Sequence, residues 1–172
     1  PSIIREIRLW ERVPLWYPQM VGDGDRHARI VGRESALAVL ERFLQTSGEP
    51  SVHVLTGPPG IGKTALWESA LAGMGSAATT LRARASEAEA QLSFAGLTDL
   101  LAGIDPRLLA ALPAPQQYAI EVALHRRTPD AGPPEDLAVS LGFLAALTLL
   151  ADRRPVVVAV DDVQWLDRAT AD

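Results

Sequence analysis

Gly57-Pro58-Pro59-Gly60-Ile61-Gly62-Lys63-Thr64 is a complete G-x-x-x-x-G-K-[ST] string, and it holds the one lysine of a 172-residue chain. The chain has 16 basic residues, and every other one is arginine. A lysine kept in that background points to a compact ammonium on a flexible stem, which a planar guanidinium does not imitate. Glycines at this spacing let the backbone wrap closely around an anion, with successive N–H groups turned inward. Such a loop holds phosphate: its amides cradle the phosphate groups, Lys63 reaches the β- and γ-phosphates, and the Thr64 hydroxyl serves Mg²⁺. The implied ligand is a nucleoside triphosphate, with ATP expected and no guanine-reading motif present.

A metal-bound triphosphate also needs an acidic partner, and Pro155-Val156-Val157-Val158-Ala159-Val160-Asp161-Asp162 offers one. An apolar strand that ends in a carboxylate puts the charge at the carboxyl edge of a parallel sheet, where a phosphate loop also opens. Asp161 is the expected Mg²⁺ residue, and Asp162 is placed to orient or deprotonate an attacking water. Lys63, Asp161 and Asp162 are therefore the candidate catalytic residues, and Thr64 and Asp161 the candidate metal ligands.

These groups must be positioned by a strand before the loop and a helix after it. Ser51 to Thr56 is a short β-branched and apolar run between Pro50 and Gly57, which reads as a buried strand. Thr64 to Ala72 is a run of good helix formers that stops at Gly73 and Gly75. Upstream, Leu37, Leu40, Phe43 and Leu44 give a helix one buried face. Downstream, residues 77–83 read as a second strand and residues 86–92 as a polar loop. A helix follows from Phe94, with Leu97, Leu100 and Leu101 on one stripe. Pro106, Pro113 and Pro115 divide the next stretch into short helices, and residues 128–134 form a turn. Residues 135–152 are apolar nearly all round, which predicts a helix covered on most sides.

Composition narrows the classes. A hydrophobic content of 48% suits one packed domain, and a net charge of −5 with pI about 5.2 gives no basic surface for nucleic acid. Arg126-Arg127 and Arg153-Arg154 sit near predicted helix ends, where cations favour the dipole, and read as structural. The absence of cysteine excludes disulfides, thiolate metal sites and cysteine nucleophiles. Three scattered histidines make no metal cluster, and His53 reads as a structural residue on one face of its strand. Residues 137–151 are too short a run to span a bilayer, so the cytoplasm is the default expectation. Residues 1–28 show no sustained periodicity and read as a poorly defined N-terminal extension, with no function assigned.

Val31-Gly32-Arg33-Glu34, the phosphate loop, Phe94-Ala95-Gly96-Leu97 and Val160-Asp161-Asp162 with Gln164-Trp165-Leu166-Asp167 together resemble one family. It is the STAND-type AAA ATPase module at the amino end of large LuxR-family transcriptional regulators, akin to origin-recognition-like ATPases. The resemblance covers roughly residues 30–172 and implies a P-loop NTPase fold of the α/β class. That fold is a three-layer αβα sandwich with a parallel sheet of the additional-strand type. Its Walker A motif would be residues 57–64 and its Walker B motif residues 156–162, within a domain spanning 29–172. By resemblance, Val31, Gly32 and Arg33 lie near the adenine, while Trp165 reads as a packing anchor. The fourth and fifth strands, the sensor residues, the lid and the helix-turn-helix of such proteins would all follow residue 172. The chain thus reads as the front part of such a domain, incomplete at its carboxyl end.

The expected function is ATP·Mg²⁺ binding with slow hydrolysis to ADP and phosphate, used as the switch of a transcriptional regulator. DNA contact would lie outside this segment, and self-association of a full-length parent stays open. Two alternatives stand beside it: a nucleotide-binding scaffold of another STAND signalling protein, and a gene fragment without function.

Overall fold

The computed structural model describes residues 4–8, 32–45, 50–130 and 132–171. The chain is a mixed α/β protein that divides into two compact units, Pro1–Gly75 and Ser76–Asp172, each containing a pair of parallel strands.

The first unit runs β1 (Ile4–Arg8), α1 (Glu34–Gln45), β2 (Val52–Thr56) and α2 (Lys63–Met74). β1 pairs parallel with β2, from Ile4 opposite Val52 to Arg8 opposite Thr56. This strand falls in the stretch where the sequence shows no periodicity. The reason is that Ile-Arg-Glu-Ile-Arg does not alternate apolar and polar residues, and a ladder is made by backbone groups whatever the side chains. α1 packs as its spacing predicts. Leu40 is buried with Leu66 and Ala70 of α2, and Leu37, Leu44, Leu55 and Ile61 close around them. Phe43 stacks on His53 with ring centroids 3.9 Å apart, so the histidine is a packed, half-buried residue of β2.

The second unit runs β3 (Thr79–Arg84), α3 (Ala95–Leu101), α4 (Pro106–Leu109), α5 (Ala114–Ala123), α6 (Asp136–Ala151), β4 (Val156–Asp161) and α7 (Arg168–Ala171). β3 and β4 are parallel, from Thr79 opposite Val156 to Arg84 opposite Asp161, so the helices α3 to α6 form the crossover that parallel pairing demands. The prolines mark starts as much as ends. Pro106 and Pro115 lie in the first turns of α4 and α5, where a missing N–H has no helical partner to lose. Leu101 and Ile120 are wholly buried at the centre of a core that draws on α3, α4, α5, α6 and β3. One arginine of each pair makes a structural contact: Arg127 lies over the Tyr118 ring at 4.8 Å, and Arg154 donates to the Ser76 carbonyl at 3.1 Å. No helix among the described residues is long and apolar enough to cross a membrane.

α6 corrects one expectation. It buries Val139, Gly142, Ala146 and Leu150 but leaves Leu137 69%, Leu141 44% and Leu144 59% exposed, so it is covered on one side rather than most. Helical packing selects a face, and a segment apolar all round carries no pattern saying which. The packed face is tight. A Cβ at Gly142 would lie 2.7 Å from Ile120 Cγ1 and 3.1 Å from the Gln116 carbonyl oxygen. Gly142→Ala should therefore destabilise the second unit by about 1–3 kcal/mol through overpacking, outweighing the ~1 kcal/mol that alanine gains over glycine in a helix. Urea unfolding checks the sign. A stabilised variant would mean that α5 and α6 separate freely.

Candidate functional site

The phosphate-loop string folds as a loop that a side-chain-bearing residue could not trace easily. Gly60 has φ 74° and Gly62 φ 92°, both left-handed, and Ile61 N–H donates to the Pro58 carbonyl at 3.3 Å. Gly62 is the N-cap of α2 and offers no side chain to the helix amides, and the first turn carries no acidic residue. An uncapped N-terminus without a local carboxylate keeps its inward N–H groups and its positive dipole end for an anion. Lys63 adds a full charge there. Its Nζ folds back to donate to the carbonyls of Gly57 at 3.1 Å and Pro58 at 3.3 Å, which brings ammonium, loop and helix start together. Pro58, Pro59 and Gly60 are exposed, and Thr64 is half-buried in the first turn of α2. The donor set is all cation and amide, which fits phosphate.

In the second unit the acidic pair closes β4. Asp161 is its last residue, 7% exposed, and its Oδ1 accepts the Asp162 N–H at 3.1 Å. Arg84, the last residue of β3 and the register partner of Asp161, brings its Nε to 3.9 Å from Oδ2. Asp162 is exposed and left-handed at φ 52°, a conformation that aspartate tolerates better than most residues. Its Oδ1 accepts from the Gln164 amide at 3.1 Å, and its carbonyl accepts the Trp165 N–H at 2.8 Å in a 3₁₀ turn over Val163–Trp165. Among the described residues no three acidic or histidine side chains cluster as a metal site, so a metal held here would rely on phosphate and water oxygens for most of its shell.

Asp167 is buried, at 2% exposure, and accepts four hydrogen bonds. Oδ1 accepts the N–H groups of Phe94 at 2.8 Å and Thr170 at 3.0 Å; Oδ2 accepts the Gly96 N–H at 2.9 Å and the Thr170 hydroxyl at 2.7 Å. Burial pushes its pKa up. The bonds from Gly96, the Thr170 side chain, Phe94 and the Thr170 backbone outweigh that and hold the carboxyl below its ordinary range. One side chain thus caps the starts of both α3 and α7.

Of the Val31-Gly32-Arg33-Glu34 motif, Val31 lies outside the described residues. Gly32 is left-handed at φ 78°, and its N–H donates to Glu34 Oε1 at 3.0 Å; Arg33 is half-buried, and its carbonyl takes the Leu37 N–H that begins α1. The Glu34 carboxyl is held below its usual range by its own backbone N–H and that of Gly32. Locally these residues start a helix.

The loop residues belong to the first unit and the acidic pair to the second. Two residues near the acidic pair carry roles that the motifs alone did not assign. Arg84 was signalled only by alternation in Leu81-Arg82-Ala83-Arg84, with buried Leu81 and Ala83 against exposed arginines. Asp167 was visible as the last letter of a motif, and Asp-x-x-Thr before α7 is a capping pattern, but its bonds to Phe94 and Gly96 span more than 70 residues.

Over residues 29–172 the chain matches the family of the AAA ATPase domain. No curated protein and no solved structure matches it.

Proposed function

The chain belongs to the AAA ATPase domain family, and from that premise we propose that it is a nucleotide switch which binds ATP·Mg²⁺ and hydrolyses it slowly to ADP and phosphate. The observation that carries this reading is the uncapped, acid-free start of α2 with Lys63 folded over left-handed glycines. In it, Gly57, Gly60 and Gly62 supply backbone N–H groups to the phosphates, with Pro58, Pro59 and Ile61 fixing the course of the loop. The Lys63 ammonium leaves its two carbonyls for phosphate oxygens. Thr64 and Asp161 are the residues that would hold the metal, and Gly32 and Arg33, with Val31, those that would flank the adenine. Bound Mg²⁺ would supply charge neutralisation at the β- and γ-phosphate oxygens. Asp162 orients the attacking water and takes up its proton.

Slow turnover follows from what these motifs lack. An arginine on the γ-phosphate is worth about 10³–10⁵ in rate, and neither motif provides one. Asp162 is also one methylene shorter than glutamate, and Gln164 already occupies one of its oxygens. The finer placement in a STAND regulator of the LuxR type draws support from Phe94-Ala95-Gly96-Leu97 and Gln164-Trp165-Leu166-Asp167, which are bonded to each other. On this reading the module works in the cytoplasm, and DNA contact belongs to another part of the parent protein.

The test is a thermal melt with and without MgATP. At about 100 times its dissociation constant the ligand should add roughly 2.7 kcal/mol, which raises the melting temperature of a chain this size by about 5–10 °C. AMP, lacking the β- and γ-phosphates, should raise it far less. Equal shifts with AMP and MgATP, or none with either, would remove the proposal.

A further inference from the structure

Five residues, 162–166, separate the end of β4 from Asp167, and the turn they form carries Asp162 in a left-handed conformation. Such a conformation in a residue with a side chain persists where the surroundings fix both ends of the segment. One end is fixed by the ladder of β4 with β3, which runs to Arg84 opposite Asp161. The other is fixed by Asp167, whose two oxygens accept from Phe94 and Gly96 at the start of α3 and from Thr170 within its own segment. Its anchor is itself strained: Phe94, whose N–H it accepts, is left-handed at φ 63° and buried.

The seam around this contact leaves no slack. A Cβ on Gly96 would run into the Leu166 side chain at Cδ1 and lie 3.0 Å from Thr170 Cγ2, so glycine lets the Leu166–Thr170 segment approach the start of α3. Leu97 N–H adds a bond to the Thr170 hydroxyl at 3.1 Å. The two motifs of the second unit that the nucleotide chemistry did not use are thus one device, a carboxylate latch between α3 and the turn after β4.

We propose that Asp167 is a positioning residue: by binding the start of α3 it fixes the 162–166 turn and, through it, the direction of the Asp162 carboxylate. This rests on the reading of Asp162 given above, because the latch matters to function only if that carboxylate acts on water. A consequence is that whatever moves α3 also moves Asp162. The segment of residues 86–93 that leads into Phe94 becomes a place where a signal could reach the site without touching nucleotide.

The experiment has two arms on the whole chain. In the first, without nucleotide, amide hydrogen exchange is followed by NMR in wild type, Asp167→Asn and Thr170→Val. Trp165 and Leu166 donate to the carbonyls of Asp162 and Val163, so their exchange reads the turn itself. It should quicken by about tenfold in Asp167→Asn and by less in Thr170→Val, which keeps the bonds of Asp167 to Phe94 and Gly96 and loses only those of the Thr170 hydroxyl, while core amides such as Leu101 stay unchanged. If Phe94 and Gly96 lose protection but Trp165 and Leu166 do not, Asp167 is only a helix cap and the proposal falls. Should Asp167→Asn fail to fold, Asp167→Glu, which keeps the charge but displaces the carboxylate from Phe94 and Gly96, decides by the same comparison.

In the second arm, MgATP hydrolysis should show a lowered kcat with KM within about twofold in Asp167→Asn. Asp167→Asn should add nothing further in an Asp162→Asn background. An equal loss in both backgrounds would mean that Asp167 acts on something other than Asp162. If wild type neither binds nor hydrolyses MgATP, the nucleotide reading fails, and the first arm still decides whether Asp167 holds the turn.

Discussion

Lys63→Ala should weaken ATP binding by roughly 10²–10⁴-fold and leave the fold standing. A charge-assisted hydrogen bond contributes about 1.5–3 kcal/mol, so losing two to phosphate oxygens removes about 3–6 kcal/mol, or roughly 10²–10⁴ in Kd. The structural cost is smaller than the loss of binding. In the free loop the ammonium makes two hydrogen bonds to carbonyls that are partly or fully exposed to water, each worth about 0.5–1.5 kcal/mol. Against that, a cation in the first turn of α2 opposes the helix dipole, and alanine is the better helix former. A lysine that helps its own helix so little is placed for a ligand. Titration calorimetry with MgATP and an apo melt of the same variant separate the two effects. Wild-type affinity in Lys63→Ala would end the phosphate assignment. A collapsed apo melt would make Lys63 a structural residue of the loop.

The parts legible in the sequence were those whose signal is local. The phosphate loop was legible because its glycines, lysine and flanking elements lie within two dozen residues, and β2 and α2 appear within one or two residues of their expected limits. Leu37, Leu40 and Leu44 announced the face of α1 by spacing alone. What stayed hidden was decided between distant segments or by the backbone. The pairing of β1 with β2 leaves no alternation in Ile4–Arg8 to read, and the buried side of α6 was chosen by Ile120 and Gln116 of α5, against which only a glycine at 142 fits. The Arg84–Asp161 approach depends on a strand register that spans the whole crossover. Asp167 is the clearest case. Its residue type and its motif were in view, yet a carboxylate near 2% exposure is stable only with partners, and nothing local to it said that two of them were Phe94 and Gly96.

Asp162→Asn should leave MgATP affinity within about twofold and lower single-turnover hydrolysis by about 10²-fold, the low end of the range for a general base because basal turnover is slow. Asparagine is the informative replacement at this position. It tolerates the left-handed backbone at φ 52° nearly as well as aspartate, and its amide oxygen still accepts from Gln164. The turn and its bonds therefore survive, and only the charge and proton affinity are lost. Asp161→Asn supplies the contrast. That residue is buried at the end of β4 and is the proposed metal ligand, so its amide should weaken Mg²⁺-dependent binding as well as turnover. On the proposed reading the two neighbouring aspartates have different jobs, the buried one at the metal and the exposed one at the water. Loss of binding in Asp162→Asn with binding kept in Asp161→Asn would reverse that assignment. Unchanged turnover in Asp162→Asn would move the base elsewhere and leave the Asp167 latch holding a turn with no chemistry to position.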